Sequence, residues 1–162
     1  MKLKWIAISI VFSVFFIACQ SKKMEDKKPP IAEIKTAAIQ DTIPYAVAQN
    51  YFVKNTVDTI AIPKIETEEV FNSYFGSATT MGKNGKPTAI DFSKEHVIAV
   101  LLPKTDTATS IQPVSLKKGN DNSIVFEYKV NLGNTQSYTI RPFLLLVIDK
   151  KFNGNLSLKQ IK

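Results

Sequence analysis

Two side chains in this 162-residue chain could make or break bonds, and each is the only one of its type. Cys19 is the sole cysteine and His96 the sole histidine. A lone thiol cannot close a disulfide within the chain, so it is either free or a point of covalent attachment. A lone imidazole must act as base or ligand without a second. Nucleophilic catalysis would need a Ser or Thr brought to His96 together with an orienting group, and no nucleophile-elbow sequence is present. Metal sites want His, Cys or carboxylates clustered at ligand spacing. Glu66, Glu68 and Glu69 come nearest and read better as the start of a helix. Gly82-Lys83-Asn84-Gly85-Lys86-Pro87-Thr88 has the composition of a phosphate loop. Its glycines are too close together, Pro87 separates Lys86 from Thr88, and no helix follows to hold a phosphate. It reads as an exposed loop, with Lys83, Asn84 and Lys86 as a candidate interaction surface. His96 reads as a strand-start histidine hydrogen-bonded to a neighbouring carboxylate. No metal and no cofactor is expected.

The surroundings of Cys19 decide between a free thiol and an attachment point. Lys2 and Lys4 precede an unbroken apolar segment from Trp5 to Ala18, and Phe16-Ile17-Ala18-Cys19 closes it. That segment is shorter than the roughly twenty residues a spanning helix needs. A basic start, a short apolar core and a small residue before the cut make a secretory signal. The small residue followed directly by cysteine resembles the lipobox of bacterial lipoproteins. The resemblance implies that the chain is cut before Cys19 and that the thiol carries a diacylglycerol. It also implies a cell-envelope location, anchored in a membrane by lipid. Gln20 rather than aspartate follows the cysteine, which leans toward the outer membrane where the source has one.

The organisation that follows is a signal peptide over 1–18, a tether over 19–44 and a β-rich domain over 45–162. Residues 20–30, QSKKMEDKKPP, are too charged to bury a core and read as a solvated, disordered spacer. The formal charge of +7 falls to +5 without Lys2 and Lys4, and from Ile31 onward fifteen basic residues face twelve acidic ones. The single arginine, Arg141, and scattered lysines do not make the basic stripe of a nucleic-acid binder.

Within the domain, Tyr51-Phe52-Val53 seeds a first strand and Val57–Ile62 a second short β piece ending at Pro63. Thr67 caps a helix whose first turn holds Glu68 and Glu69 and which Gly76 ends. Val70, Phe71, Tyr74 and Phe75 form its apolar face. Val97–Leu102 and Phe143–Ile148 are continuous apolar runs suited to strands covered on both faces. Ile124, Phe126, Tyr128 and Val130 alternate on one face of a strand that pairs with Ile111–Leu116 through the turn KKGNDN. Pro113 places that partner at an edge or at a bulge. Asn153-Gly154 predicts a last hairpin. The expected fold is α+β: a mostly antiparallel β sandwich or half-open barrel of six or seven strands with one short helix.

The order of the Tyr51–Val53 strand, the Phe-rich helix, Ile90-Asp91-Phe92 before an apolar strand, and Arg141-Pro142 before the last core strand resembles the C-terminal domain of PrcB-type protease-complex subunits. That resemblance implies a binding or modulating subunit without catalysis of its own. The expected function is a lipid-anchored envelope protein whose non-catalytic β domain binds a protein partner or ligand. The expected contact surface is the strand edge near Pro113 with the loops at 76–89 and 103–109. An envelope hydrolase using His96 and a lipid-handling lipoprotein are the alternatives.

Overall fold

The continuous apolar runs become the two central strands of the domain. In the computed structural model, which describes residues 41–79, 81 and 85–162, they are β5 (Glu95–Leu101) and β8 (Phe143–Asp149). Cys19 and the tether up to residue 40 lie outside the described residues, as do Lys83 and Asn84. β5 and β8 pair antiparallel along their whole length, from Glu95↔Asp149 to Leu101↔Phe143. Alternate side chains enter two different cores, which is why neither strand shows a polar face. Ile98, Val100, Leu144, Leu146 and Ile148 point one way, and Val97, Ala99, Leu145 and Val147 the other.

Two short strands complete this antiparallel sheet, β1 (Ala46–Val47) beside β8 and β3 (Lys64–Ile65) beside β5. The first core is closed by a second sheet of β6 (Thr105–Gly119), β7 (Ser123–Ile140) and β9 (Asn155–Ile161), in the order β6-β7-β9. Leu116, Ile124 and Phe126 supply its inner face. The second core is covered by α1 (Glu68–Tyr74) and a two-stranded sheet of β2 (Tyr51–Val53) and β4 (Phe75–Ser77). Phe71 and Phe75 stack tilted at 5.1 Å between ring centroids, and Phe71 also meets Tyr51 edge-on at 5.1 Å. The fold is therefore mostly β, sheet against sheet with a single short helix among the described residues, and neither sheet closes into a barrel.

Several expectations hold in detail. Thr67 caps α1 through its hydroxyl, which accepts from the Val70 N–H at 3.3 Å. Pro113 lies on the edge strand β6, beside a register shift between Pro113 and Ser115. Core packing reaches back to Ile43, ahead of Tyr45; Ile43 donates its N–H to the Leu116 carbonyl at 2.8 Å.

Three expectations fail, each for a local reason. Gly76 does not end the helix: Phe75 is already extended at φ −119 and ψ 153, and the chain runs straight into β4. The pull is tertiary, because Phe75 is buried and pairs with Val53. Val57–Ile62 forms no strand, and β3 instead begins just past Pro63. Asn153-Gly154 does not make a hairpin. β8 and β9 belong to different sheets, and β9 runs parallel to β7 from Ser123↔Asn155 to Lys129↔Ile161. Gly154 has φ +153, outside the left-handed helical turn a two-residue hairpin demands, and it carries the chain across between sheets.

Candidate functional site

Of the residues singled out from the sequence, Lys86 lies where the long loop rejoins the fold. Its carbonyl accepts from Asn50 Nδ2 at 2.9 Å, and the Thr88 carbonyl accepts from the Tyr51 hydroxyl at 2.5 Å. The Gln49 N–H donates to Thr88 Oγ1 at 2.9 Å. These bonds pin the loop exit to the segment before β2.

His96 is held in the first core, not at a surface. It is 1 % exposed, opposite Ile148 in the β5–β8 pair, and its Nε2 has no hydrogen-bond partner among the described residues. The expected bond to a carboxylate is absent among the described residues: Glu95 turns instead to the Asp91 N–H at 2.9 Å. Burial, followed by the positive charge of Lys64, pushes the imidazole below its ordinary value near 6.5, and Glu66 opposes the shift. Lys64 pairs with Glu66 at 2.9 Å and also donates to Asn153 Oδ1. That pairing, led by the Lys64 hydrogen bond, lowers the Glu66 carboxyl. An imidazole so enclosed, with cations nearby, is neutral and out of reach of an external substrate.

The opposite end of the domain is open. β9 covers only Ser123–Lys129 of β7, so Val130–Ile140 has β6 alone as its partner. Polar, β-branched and small residues fill this overhanging ribbon, and its register breaks twice. Thr109 faces Leu132, Thr107 faces Thr135 and Thr105 faces Ile140, so Gln136–Thr139 bows out of the ladder. Such irregularities, with Pro113, blunt an edge against strand addition. Among the described residues the outer edge of β6 is paired only near its end, where the Lys118 N–H donates to the Asp41 carbonyl at 2.7 Å. Leu132 and Tyr138 are 72 % and 59 % exposed on the ribbon. They line a hollow of about 440 Å³ together with Ser110, Asn131 and Gln136, whose Oε1 is buried without a partner among the described residues.

Beside the ribbon root lies a cleft of about 540 Å³ between β2, the β5–β6 loop and the β7–β8 link. Phe52, Val53, Ile140 and Phe143 give it apolar walls, and Lys104 and Arg141 give it charge. Arg141 is 11 % exposed at its side chain and bonds Asp58 at 3.0 Å through one nitrogen. In the sequence Arg141 counts against a nucleic-acid binder and, with Pro142, marks the start of the last core strand, but nothing there assigns it a binding role. The available signal was its being the sole arginine, set directly before Pro142 and a core strand.

Fold and site together define a sheet-on-sheet domain with an open, partly apolar end and a sealed histidine. No protein-family model matches the chain, and no curated protein or solved structure matches it either.

Proposed function

We propose that this chain is a lipid-anchored lipoprotein of the cell envelope, attached through Cys19, whose β domain binds a protein partner or ligand without catalysing a reaction. The observation that carries the binding half is the β6–β7 ribbon, which extends past its third strand and leaves Leu132 and Tyr138 exposed and lining one hollow. Exposed large apolar residues on a loop-rich end of a β scaffold are what recognition uses. The anchoring half rests on the sequence Phe16-Ile17-Ala18-Cys19 after a short apolar segment. The order of elements that resembles PrcB-type subunits supports a modulating rather than a catalytic role. The sealing of His96 supports the same choice over a hydrolase.

The test has two arms. In cells fed a palmitate analogue, the wild-type chain should be labelled and should sediment with membranes, and Cys19→Ser should lose both properties. Labelling retained by Cys19→Ser would remove the anchor. A photocrosslinking residue at position 132 or 138 should capture an envelope protein that Lys159, on the far strand, does not. Equal capture from both faces would remove the ribbon as the contact surface.

A further inference from the structure

The cleft at the ribbon root has the chemistry of a site for a small organic anion. Its lining residues are Phe52, Val53, Asn55, Lys104, Thr139, Ile140, Arg141 and Phe143, two cations with no acid among them. A volume of about 540 Å³ lies within the usual range of ligand clefts. Arg141 is nearly buried, yet among the described residues its one hydrogen-bond partner is Asp58, itself 86 % exposed on its side chain. A guanidinium carries five donors in a planar fork that suits two carboxylate oxygens. Here one prong is used, by Asp58, which lines the neighbouring hollow and not the cleft. Arg141 itself lines the cleft, and its donors beyond the one bonded to Asp58 are left for a ligand there. Lys104 stands at the rim with no ion pair among the described residues.

The apolar wall sets the rest of the ligand. Phe52 is 47 % exposed and lies across Gly76, whose missing side chain makes room for the ring: a Cβ there would meet Phe52 Cζ at 2.4 Å. Phe143 is held from behind by Phe75, at 5.7 Å between centroids. Two ring surfaces and Ile140 favour a flat or branched apolar body over a bare inorganic anion. We propose that this cleft binds a small carboxylate carried on an aromatic or branched apolar group, with Arg141 as the partner of the carboxylate and Lys104 as a second, outer cation. The proposal names a ligand class for the binding reading above and rests on the domain being a binder. It does not depend on lipid attachment or on the ribbon contact.

The sole arginine makes the test specific, because its Nε–Hε signal has one source in the whole chain. The full-length protein, labelled with ¹⁵N-arginine in detergent micelles, is titrated separately with phenylacetate, phenylacetamide and inorganic phosphate. Phenylacetate should shift the Arg141 signal saturably, and the amide and phosphate should each bind more than about tenfold more weakly. Lys104→Gln should weaken phenylacetate by about two- to fivefold. Arg141→Lys, which keeps the charge but not the fork, should weaken it by more than Lys104→Gln does. No saturable shift with phenylacetate, or an equal response to the amide, would overturn the proposal. An equal response to phosphate would overturn its apolar half. A normal Arg141 titration in a protein that captures nothing through Leu132 or Tyr138 would fault the protein-partner reading and leave this site standing.

Discussion

Replacing His96 by leucine should stabilise the domain and flatten its response to acid. His96 is 1 % exposed, and Nε2 lacks any hydrogen-bond partner among the described residues. A buried polar group left without a partner costs about 1–3 kcal/mol. Leucine is close in size and brings no polar atom, so His96→Leu should gain about 1 kcal/mol at pH 7.5, after some loss to its different shape. The acid response has a definite sign. Burial and Lys64 hold the folded imidazole below its ordinary value near 6.5. As pH falls past 6.5 the unfolded chain takes up a proton before the folded one, so wild-type stability falls until the pH passes the lowered folded value. A site that stayed neutral down to pH 5.0 would lose at most about 2 kcal/mol over that range. Glu66, Asp91 and Asp149 are held below their ordinary values of 4.5, 3.8 and 3.8, so their contributions are lost only in more acid solution. The interval from pH 7.5 to 5.0 therefore isolates His96. Urea unfolding must be followed by circular dichroism, because the only tryptophan, Trp5, lies outside the described domain. His96→Gln separates the two effects: it keeps a buried polar group but cannot titrate, so its curve should be flat and lie below that of His96→Leu. A His96→Leu protein that is less stable than wild type at pH 7.5, or that keeps the wild-type slope between pH 7.5 and 5.0, would refute this account.

Two further substitutions probe the local devices that shape the fold. Gly154→Ala should cost roughly 2 kcal/mol, because φ is +153 and a Cβ would meet the Asn122 carbonyl oxygen at 2.4 Å, a backbone atom that cannot swing away; an unchanged urea midpoint would show that the crossing between sheets tolerates another path. Thr67→Ala should cost about 0.5–1 kcal/mol through loss of the bond to the Val70 N–H at 3.3 Å, and Thr67→Ser should restore it; equal losses in both variants would assign the effect to packing rather than to the cap.

How much of this could be read in advance follows from where periodicity is strong. β5 and β8 were legible because both faces are buried, and unbroken runs such as Phe143–Ile148 have no other economical explanation. The strand holding Ile124 and Phe126 was legible because its alternation matches the pleat, and Pro113 named its partner as an edge strand. Asn153-Gly154 misled because a dipeptide encodes a reversal, whereas the choice of the next partner is global. β9 joins β7 by burying Leu156 and Leu158 against the first core, which no local signal announces. The outer halves of β6 and β7 are not legible in the sequence, because Thr105–Ser110 and Leu132–Thr139 have no apolar alternation to mark them. Their order comes from pairing with each other.

The cleft was illegible for a related reason, and the reason bears on what kind of site it is. Phe52, Lys104 and Arg141 stand far apart in the chain, so no local spacing groups them. They meet because β2 pairs with β4 over Gly76, because β5 turns at Pro103 into β6, and because Ile140 and Pro142 turn β7 into β8. All three turns are set by the same buried strands that made the core legible. Phe143, packed on the second core against Phe75, is held more firmly than side chains on the ribbon, which has no third strand behind it. The two proposals then divide one end of the domain, with the ribbon's last residues, Thr139 and Ile140, shared between them. The cleft can select a small anion by fixed geometry, and the ribbon can adapt to a larger surface.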